Sequence, residues 1–157
     1  MLDSTMRWKH PADNDGEQSQ AIFGTFDGLT SAIGVVVASL LQNNLHTLVV
    51  VAAGLATAAA IGMGAGEWLG DPTRNLRRSF IMAFSTAFGA FLPAIPFIFL
   101  SKIPAIIVAV VLCLVTALII GSRRGRGVKP LIETLIILMV VTVITTIVSI
   151  LAGKLVG

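Results

Sequence analysis

Two apolar stretches decide the fold of this chain: AIFGTFDGLTSAIGVVVASLLQ at 21–42 and TLVVVAAGLATAAAIGMGAGEWLG at 47–70. Each is long enough to cross a bilayer as a helix, which takes about 20 predominantly apolar residues. Three more such runs follow, at 78–100, 103–121 and 130–153. The sequence therefore predicts an all-α integral membrane protein with five transmembrane helices.

The composition favours the same class. Of the 157 residues, 55% are hydrophobic and only 12% are charged, and the mean hydropathy is +0.93, values typical of membrane proteins. Residues 1–20 are polar and are predicted to form a disordered cytoplasmic tail, while 21–157 form one five-helix transmembrane transport domain. The net charge of +3 does not call for a nucleic-acid partner, because the basic residues fall mostly in short loops.

The basic residues predict the orientation. Short loops rich in Lys and Arg stay on the cytoplasmic side of a membrane. One side of the predicted bundle has only Lys102 and Lys154, and the other carries Arg7, Lys9, Arg74, Arg77, Arg78, Arg123, Arg124, Arg126 and Lys129. This asymmetry predicts a cytoplasmic N-terminus and an external C-terminus.

One carboxylate lies within each of the first two runs, Asp27 and Glu67. A charged side chain at the centre of a bilayer costs roughly 2.5–3.5 kcal/mol on the insertion scale, so such residues usually mark function. In the predicted topology both lie within about two helical turns of the cytoplasmic surface and could face one another. Met63 precedes Glu67 by four residues, which places both side chains on one helix face.

These three side chains suit a divalent cation. Carboxylates bind hard cations, and a neighbouring thioether shifts the preference toward borderline ions such as Fe²⁺ or Mn²⁺. One chain supplies too few ligands, whereas a twofold homodimer would gather two copies of each. Carboxylates crowded in a low dielectric repel one another, so metal entry could release a proton. Glycines beside the acids, Gly24 and Gly28 in the first run and Gly62 to Gly66 in the second, predict close packing of these two helices, either within a subunit or across a dimer.

At these positions the chain resembles the vacuolar iron transporter family. GTFDGLTSAIGVVV is similar to the first helix of that family, AIGMGAGEWLG to its second and LPAIPF at 92–97 to its third, and the likeness covers nearly all of 21–157. The resemblance implies a homodimer that exports Fe²⁺ or Mn²⁺ from the cytoplasm in exchange for protons. It assigns Asp27, Met63 and Glu67 as metal-binding residues, with the metal as transported substrate and no cofactor.

Two features depart from that family. A stretch of about ten residues joins the second and third helices, where plant and protozoan members carry a glutamate-rich metal-binding domain. Phe26 precedes Asp27, where the family commonly has Asn. The short connection implies that cytoplasmic metal capture is different or absent, and Phe26 implies a different preference for iron rather than a loss of transport.

Other interpretations of the sequence remain open. The chain has no Walker loop, zinc-protease pair or nucleophile elbow, which argues against an enzyme. A small-multidrug-type organic cation exchanger and a non-transporting membrane assembly subunit are the alternatives to metal transport. Asp27 could be a packing acid bonded to neighbouring hydroxyls such as Thr30. Glu67 could extend to water at the interface or pair with Arg74 or Arg77. The expected location is the plasma membrane in a prokaryote, or a vacuolar or other organelle membrane in a eukaryote.

Overall fold

The computed structural model describes residues 13–42, 45–125 and 127–156, and the ordered elements within them are all helices. These are α1 (Asp13–Leu41), α2 (Leu45–Gly70), α3 (Leu76–Phe91), α4 (Pro96–Phe99), α5 (Lys102–Arg124) and α6 (Lys129–Val156). Four of them, α1, α2, α5 and α6, contain stretches long and apolar enough to cross a membrane. The architecture is that of a helical integral membrane protein.

The third predicted run is broken rather than continuous. Helix α3 ends at Phe91, and four residues in turn conformation separate it from the short helix α4. Pro93 lies in the break and Pro96 begins α4. Proline lacks the backbone N–H that a continuing helix needs, so the expected kink becomes an interruption. Neither piece alone reaches the length of a transmembrane helix.

Helix α1 starts eight residues before the predicted boundary at Ala21. Residues 13–20, which were assigned to the disordered tail, form its first two turns. Acidic residues at a helix start favour the helix dipole, and DNDGEQSQ opens with two aspartates. Contacts from Glu17 and Gln20 to other helices further stabilise this extension. The remaining predicted tail, residues 1–12, lies outside the described residues.

Glycines bring α1 and α3 into backbone contact. A methyl group added at Gly24 would lie 2.8 Å from the carbonyl oxygen of Met82, and one at Gly28 would lie 2.6 Å from the backbone nitrogen of Ala90. From the other side, a methyl group at Gly89 would collide with the backbone of Thr25. Small residues permit such close approach of helices in lipid.

Within one chain, Gly24 and Gly28 therefore face α3 and not α2, and packing of the predicted glycine surfaces across a dimer stays a prediction. On α2, Gly64 also faces α3, where an added methyl group would lie 2.8 Å from the Cβ atom of Ala83. Gly62 and Gly66 face open space, with no atom within 4 Å of an added methyl group. Helix α3 thus packs closely against both α1 and α2.

The path of the chain follows from contacts at the two ends of α1. At its N-terminal end, Gly16 lies against Arg78 in the first turn of α3. At the opposite end, Val36 packs with Phe97 of α4 and with Ala105 of α5. The segment formed by α3, the break and α4 therefore runs the length of the bundle. Helix α5 then returns, because Gln18 bonds the backbone of Arg123.

The middle of the bundle is a second apolar cluster between α1, α5 and α6. Leu29 and Ile33 pack there with Ala117 and Leu138, and Cys113 is buried among them. Cys113, the lone cysteine of the chain, therefore packs among apolar side chains.

Candidate functional site

Glu67 near the end of α2 is bonded to Gln20 near the start of α1. The side-chain amide of Gln20 donates to Oε1 of Glu67 across 2.7 Å, and both residues are half-buried. A charged acceptor makes this hydrogen bond stronger than one between neutral groups. The bond joins the two helices that carry the predicted site and directs the Glu67 carboxylate toward α1.

Asp27 lies deeper along the same side of α1. It follows Gln20 by seven residues, a rotation about 20° short of two full turns and a rise of about 10 Å. On α2, Met63 lies one turn deeper than Glu67, about 6 Å along the helix axis. Arg77, Arg78 and Arg123 lie near the N-terminal end of α1, which we call the arginine-rich end of the bundle. Because α1 and α2 run in opposite directions, the order in depth from this end is Glu67, Met63 and then Asp27.

The Asp27 carboxylate has no hydrogen-bond or ion-pair partner among the residues that the structure describes, although the side chain is half-buried. The hydroxyl of Thr30 donates to the backbone carbonyl of Asp27 at 3.0 Å, not to its carboxylate. The packing role predicted as an alternative, in which Thr30 bonds the acid, is therefore not seen. An intramembrane acid of this kind is available to a cation or a proton.

Neither Arg74 of the α2–α3 connection nor Arg77 of α3 pairs with Glu67 in the part of the chain that the structure describes. Arg77 forms an ion pair with Glu17 of α1 at 3.1 Å. Arg74 lies over the ring of Trp68, 5.2 Å from its centroid. The predicted alternative pairing of Glu67 with either arginine is therefore wrong, because both have other partners and Glu67 binds the neutral Gln20 instead.

The connection between α2 and α3 is a short polar turn organised by Asp71. Its Oδ1 atom accepts hydrogen bonds from the backbone N–H of Thr73 at 2.8 Å and from the Thr73 hydroxyl at 2.7 Å. These bonds lower the pKa of the Asp71 carboxyl below its usual value. Asn75 then caps α3 by accepting from the backbone N–H groups of Arg77 and Arg78. The start of α3 is thereby fixed beside Glu17 and Gly16.

Sequence reasoning missed Gln20 and Glu17. Both were placed in the polar tail, one to four residues before the predicted helix boundary at Ala21. A usable signal was present, since Glu17, Gln20, Gly24 and Asp27 follow one another at spacings of three, four and three residues. That spacing continues one helix face beyond the apolar run.

One chain offers a sparse ligand set. The described residues contain no group of three or more His, Cys, Asp or Glu side chains that could hold a metal ion. A divalent cation near Asp27 and Glu67 would have to draw further ligands from Met63, from amide or backbone oxygens, or from a second copy of the chain.

The hydroxyls of α6 do not extend the site. Thr142 donates to the carbonyl of Leu138 at 2.8 Å, and Thr146 donates to the carbonyl of Thr142 at 2.7 Å. Thr145 likewise bonds the carbonyl of Val141. These threonines therefore bond back to carbonyls of their own helix, as is common for hydroxyls within transmembrane helices.

The resemblance to the vacuolar iron transporter family rests on three short motifs of this sequence. Asp27 lies in the motif at 24–37 within α1, and Met63 and Glu67 lie in the motif at 60–70 at the end of α2. Neither a family model, nor a curated protein, nor a solved structure matches the chain.

Proposed function

We propose that this protein is a divalent metal transporter that exports Fe²⁺, Mn²⁺ or both from the cytoplasm by proton antiport. The observation that carries the proposal is Asp27, a half-buried carboxylate in an apolar helix with no partner among the described residues. It lies on the side of α1 that also holds Glu67 through Gln20. Two acids and a thioether at successive depths provide a stepwise path for a cation.

Each residue has a distinct role in this mechanism. Glu67, held in place by the Gln20 amide on Oε1, binds an incoming cation at the arginine-rich end. Met63, one turn deeper, favours borderline ions because its thioether is softer than a carboxylate or water. Asp27 binds the ion at the deepest position and carries the proton in the opposite direction. The coupling follows because a cation and a proton compete for the same carboxylate.

The proposed working unit is a homodimer. A twofold homodimer would contribute two copies of each acid and of Met63. Such a pairing supplies the additional ligands that a single chain does not offer. This requirement can be tested, because protein that is monomeric should not transport metal.

The proposed orientation places the start of α1 in the cytoplasm and five passes through the membrane. The clustering of Arg77, Arg78, Arg123 and Arg124 at one end of the bundle supports it, because basic residues are retained on the cytoplasmic side. The third pass would be made by α3, the break and α4 together. The membrane would be the plasma membrane in a prokaryote, and a vacuolar or other organelle membrane in a eukaryote.

Cysteine labelling tests the third pass directly. In a Cys113→Ala background, Pro72→Cys and Ser122→Cys should react with a membrane-impermeant maleimide only from the cytoplasmic face. Ser101→Cys should react from the outside of intact cells, because the broken segment carries the chain across. If Ser101→Cys instead reacts on the same face as Pro72→Cys, the segment turns back within the membrane and the five-pass topology is wrong.

Gln20→Leu should raise the KM for metal flux by about tenfold with a smaller change in maximal rate. A hydrogen bond to a charged group is worth about 1.5–3 kcal/mol, and its loss would let Glu67 leave the entrance position. Gln18→Leu is the matched control, since Gln18 bonds the carbonyl oxygen of Arg123 on another face of α1. Equal KM values for Gln20→Leu and the wild type would remove Gln20 from the mechanism.

A further inference from the structure

A cavity of about 610 Å³ lies at the arginine-rich end of the bundle between α1, α5 and α6. Its walls are formed by apolar side chains that include Phe23, Phe26 and Ile137, and its end is formed by Arg123 and Arg124. It is therefore basic at the end of the helices and apolar toward their middle. That gradient follows the change from headgroup to hydrocarbon across one leaflet of a bilayer.

The apolar wall is anchored on one side and open on the other. Phe26 packs against the buried cluster that contains Leu29 and Cys113. Phe23 is 57% exposed and lies along the outer face of α1. The cavity can thus be reached from the surrounding lipid rather than only from the aqueous phase.

The two arginines occupy the last turn of α5. The Nη1 atom of Arg124 donates to the Thr134 hydroxyl at 3.2 Å, which orients that guanidinium. The Gln18 amide donates to the backbone carbonyl of Arg123 at 3.2 Å and so satisfies one of the helix-end acceptors. Among the side chains that the structure describes, neither arginine has a carboxylate partner. Both positive charges are available to an anion.

We infer that this cavity binds the headgroup of an anionic phospholipid, with an acyl chain along Phe23 and Ile137. Guanidinium groups recognise phosphate through paired hydrogen bonds, and basic pockets between transmembrane helices are sites for anionic headgroups. A free phosphate would use the arginines but would leave the aromatic wall unoccupied. The lipid would fill the groove that separates α1 from the α5–α6 hairpin. The inference does not depend on which substrate the protein moves.

Native mass spectrometry of the detergent-purified protein with added phosphatidylglycerol or phosphatidylcholine tests this assignment. Wild-type protein should retain one phosphatidylglycerol per chain in preference to phosphatidylcholine. The double variant Arg123→Gln, Arg124→Gln should bind phosphatidylglycerol more weakly by about fivefold per arginine, the effect of about 1 kcal/mol for each basic residue. Arg74→Gln is the control, because Arg74 belongs to the α2–α3 connection and lies over Trp68, outside the cavity. It should bind like the wild type.

A second variant distinguishes the effect of filling the cavity from the effect of removing its positive charge. Ser19→Trp places a large side chain in the cavity while retaining both arginines, and it should lose the retained lipid. Phosphatidylglycerol retention by Ser19→Trp equal to that of the wild type would overturn the assignment, as would equal retention of phosphatidylcholine. Displacement of the lipid by millimolar inorganic phosphate would show a free-anion site instead. Because one variant changes charge and the other changes volume, misfolding of either leaves the other as the test.

Discussion

Asp27→Asn should abolish metal-dependent proton exchange while the protein stays folded. Asparagine has nearly the same shape as aspartate but carries no negative charge and cannot release a proton at neutral pH. We expect Fe²⁺ and Mn²⁺ flux into proteoliposomes, recorded together with internal pH, to fall by more than about 100-fold, since even groups that only support metal ligands typically contribute 10–100-fold. Helix content and oligomeric state should match the wild type, because the Asp27 carboxylate has no structural partner in the described part of the chain.

Glu133→Gln provides the matched control. Glu133 is also an acid in an apolar helix, but it is exposed on α6, so its neutralisation should leave flux unchanged. If Asp27→Asn transports as well as Glu133→Gln does, Asp27 is not the centre of the mechanism. If folded dimeric wild-type protein moves neither ion, metal transport fails, and organic cation exchange or assembly with another membrane protein becomes the leading hypothesis.

Gly28→Ala should destabilise the bundle far more than the same substitution at a glycine that faces open space. The new methyl group would lie 2.6 Å from the backbone nitrogen of Ala90 and against the carbonyl oxygen of Thr86. Backbone atoms cannot move aside as a flexible side chain can, so α1 and α3 would have to separate. Overpacking of this kind costs about 1–3 kcal/mol, and we expect a clear fall in the midpoint of thermal or SDS-induced unfolding.

Gly66→Ala measures the intrinsic effect of the same substitution. An added methyl group at Gly66 meets no atom within 4 Å, and alanine favours a helix over glycine by about 0.8–1.0 kcal/mol. This variant should be as stable as the wild type or slightly more stable. Equal unfolding midpoints for Gly28→Ala and Gly66→Ala would show that the backbone contact between α1 and α3 contributes little to stability.

The long helices could be predicted from the sequence because length and hydropathy are local properties. Four long apolar helices could be predicted without knowing which helices they contact, namely α1, α2, α5 and α6. The third run was predicted as one transmembrane helix because Pro93 and Pro96 add no polarity to a hydropathy profile. Each proline nevertheless removes a backbone hydrogen-bond donor. A hydropathy profile therefore cannot detect the break between α3 and α4.

Which helices pack against each other was harder to predict than where each helix lies in the sequence. Gly24, Gly28 and Gly64 show where a helix surface permits close approach, but their spacing does not name the helix that approaches. In the structure that helix is α3 for all three. For the candidate site, the sequence indicates two acids and a thioether at similar depth, Asp27, Glu67 and Met63, and their role stays a prediction. The contact between Gln20 and Glu67 was not predicted because Gln20 belongs to a polar segment.

The glycine contacts also determine which parts of the molecule can move. Backbones that touch without intervening side chains cannot slide past each other through a change of rotamer. We therefore expect α1, α2 and α3 to move as one rigid body that carries both candidate acids. The short proline-containing break is the natural hinge between this body and the α5–α6 hairpin. Exposure of Asp27 to opposite sides of the membrane in turn would then be a rocking of the hairpin against a fixed three-helix block.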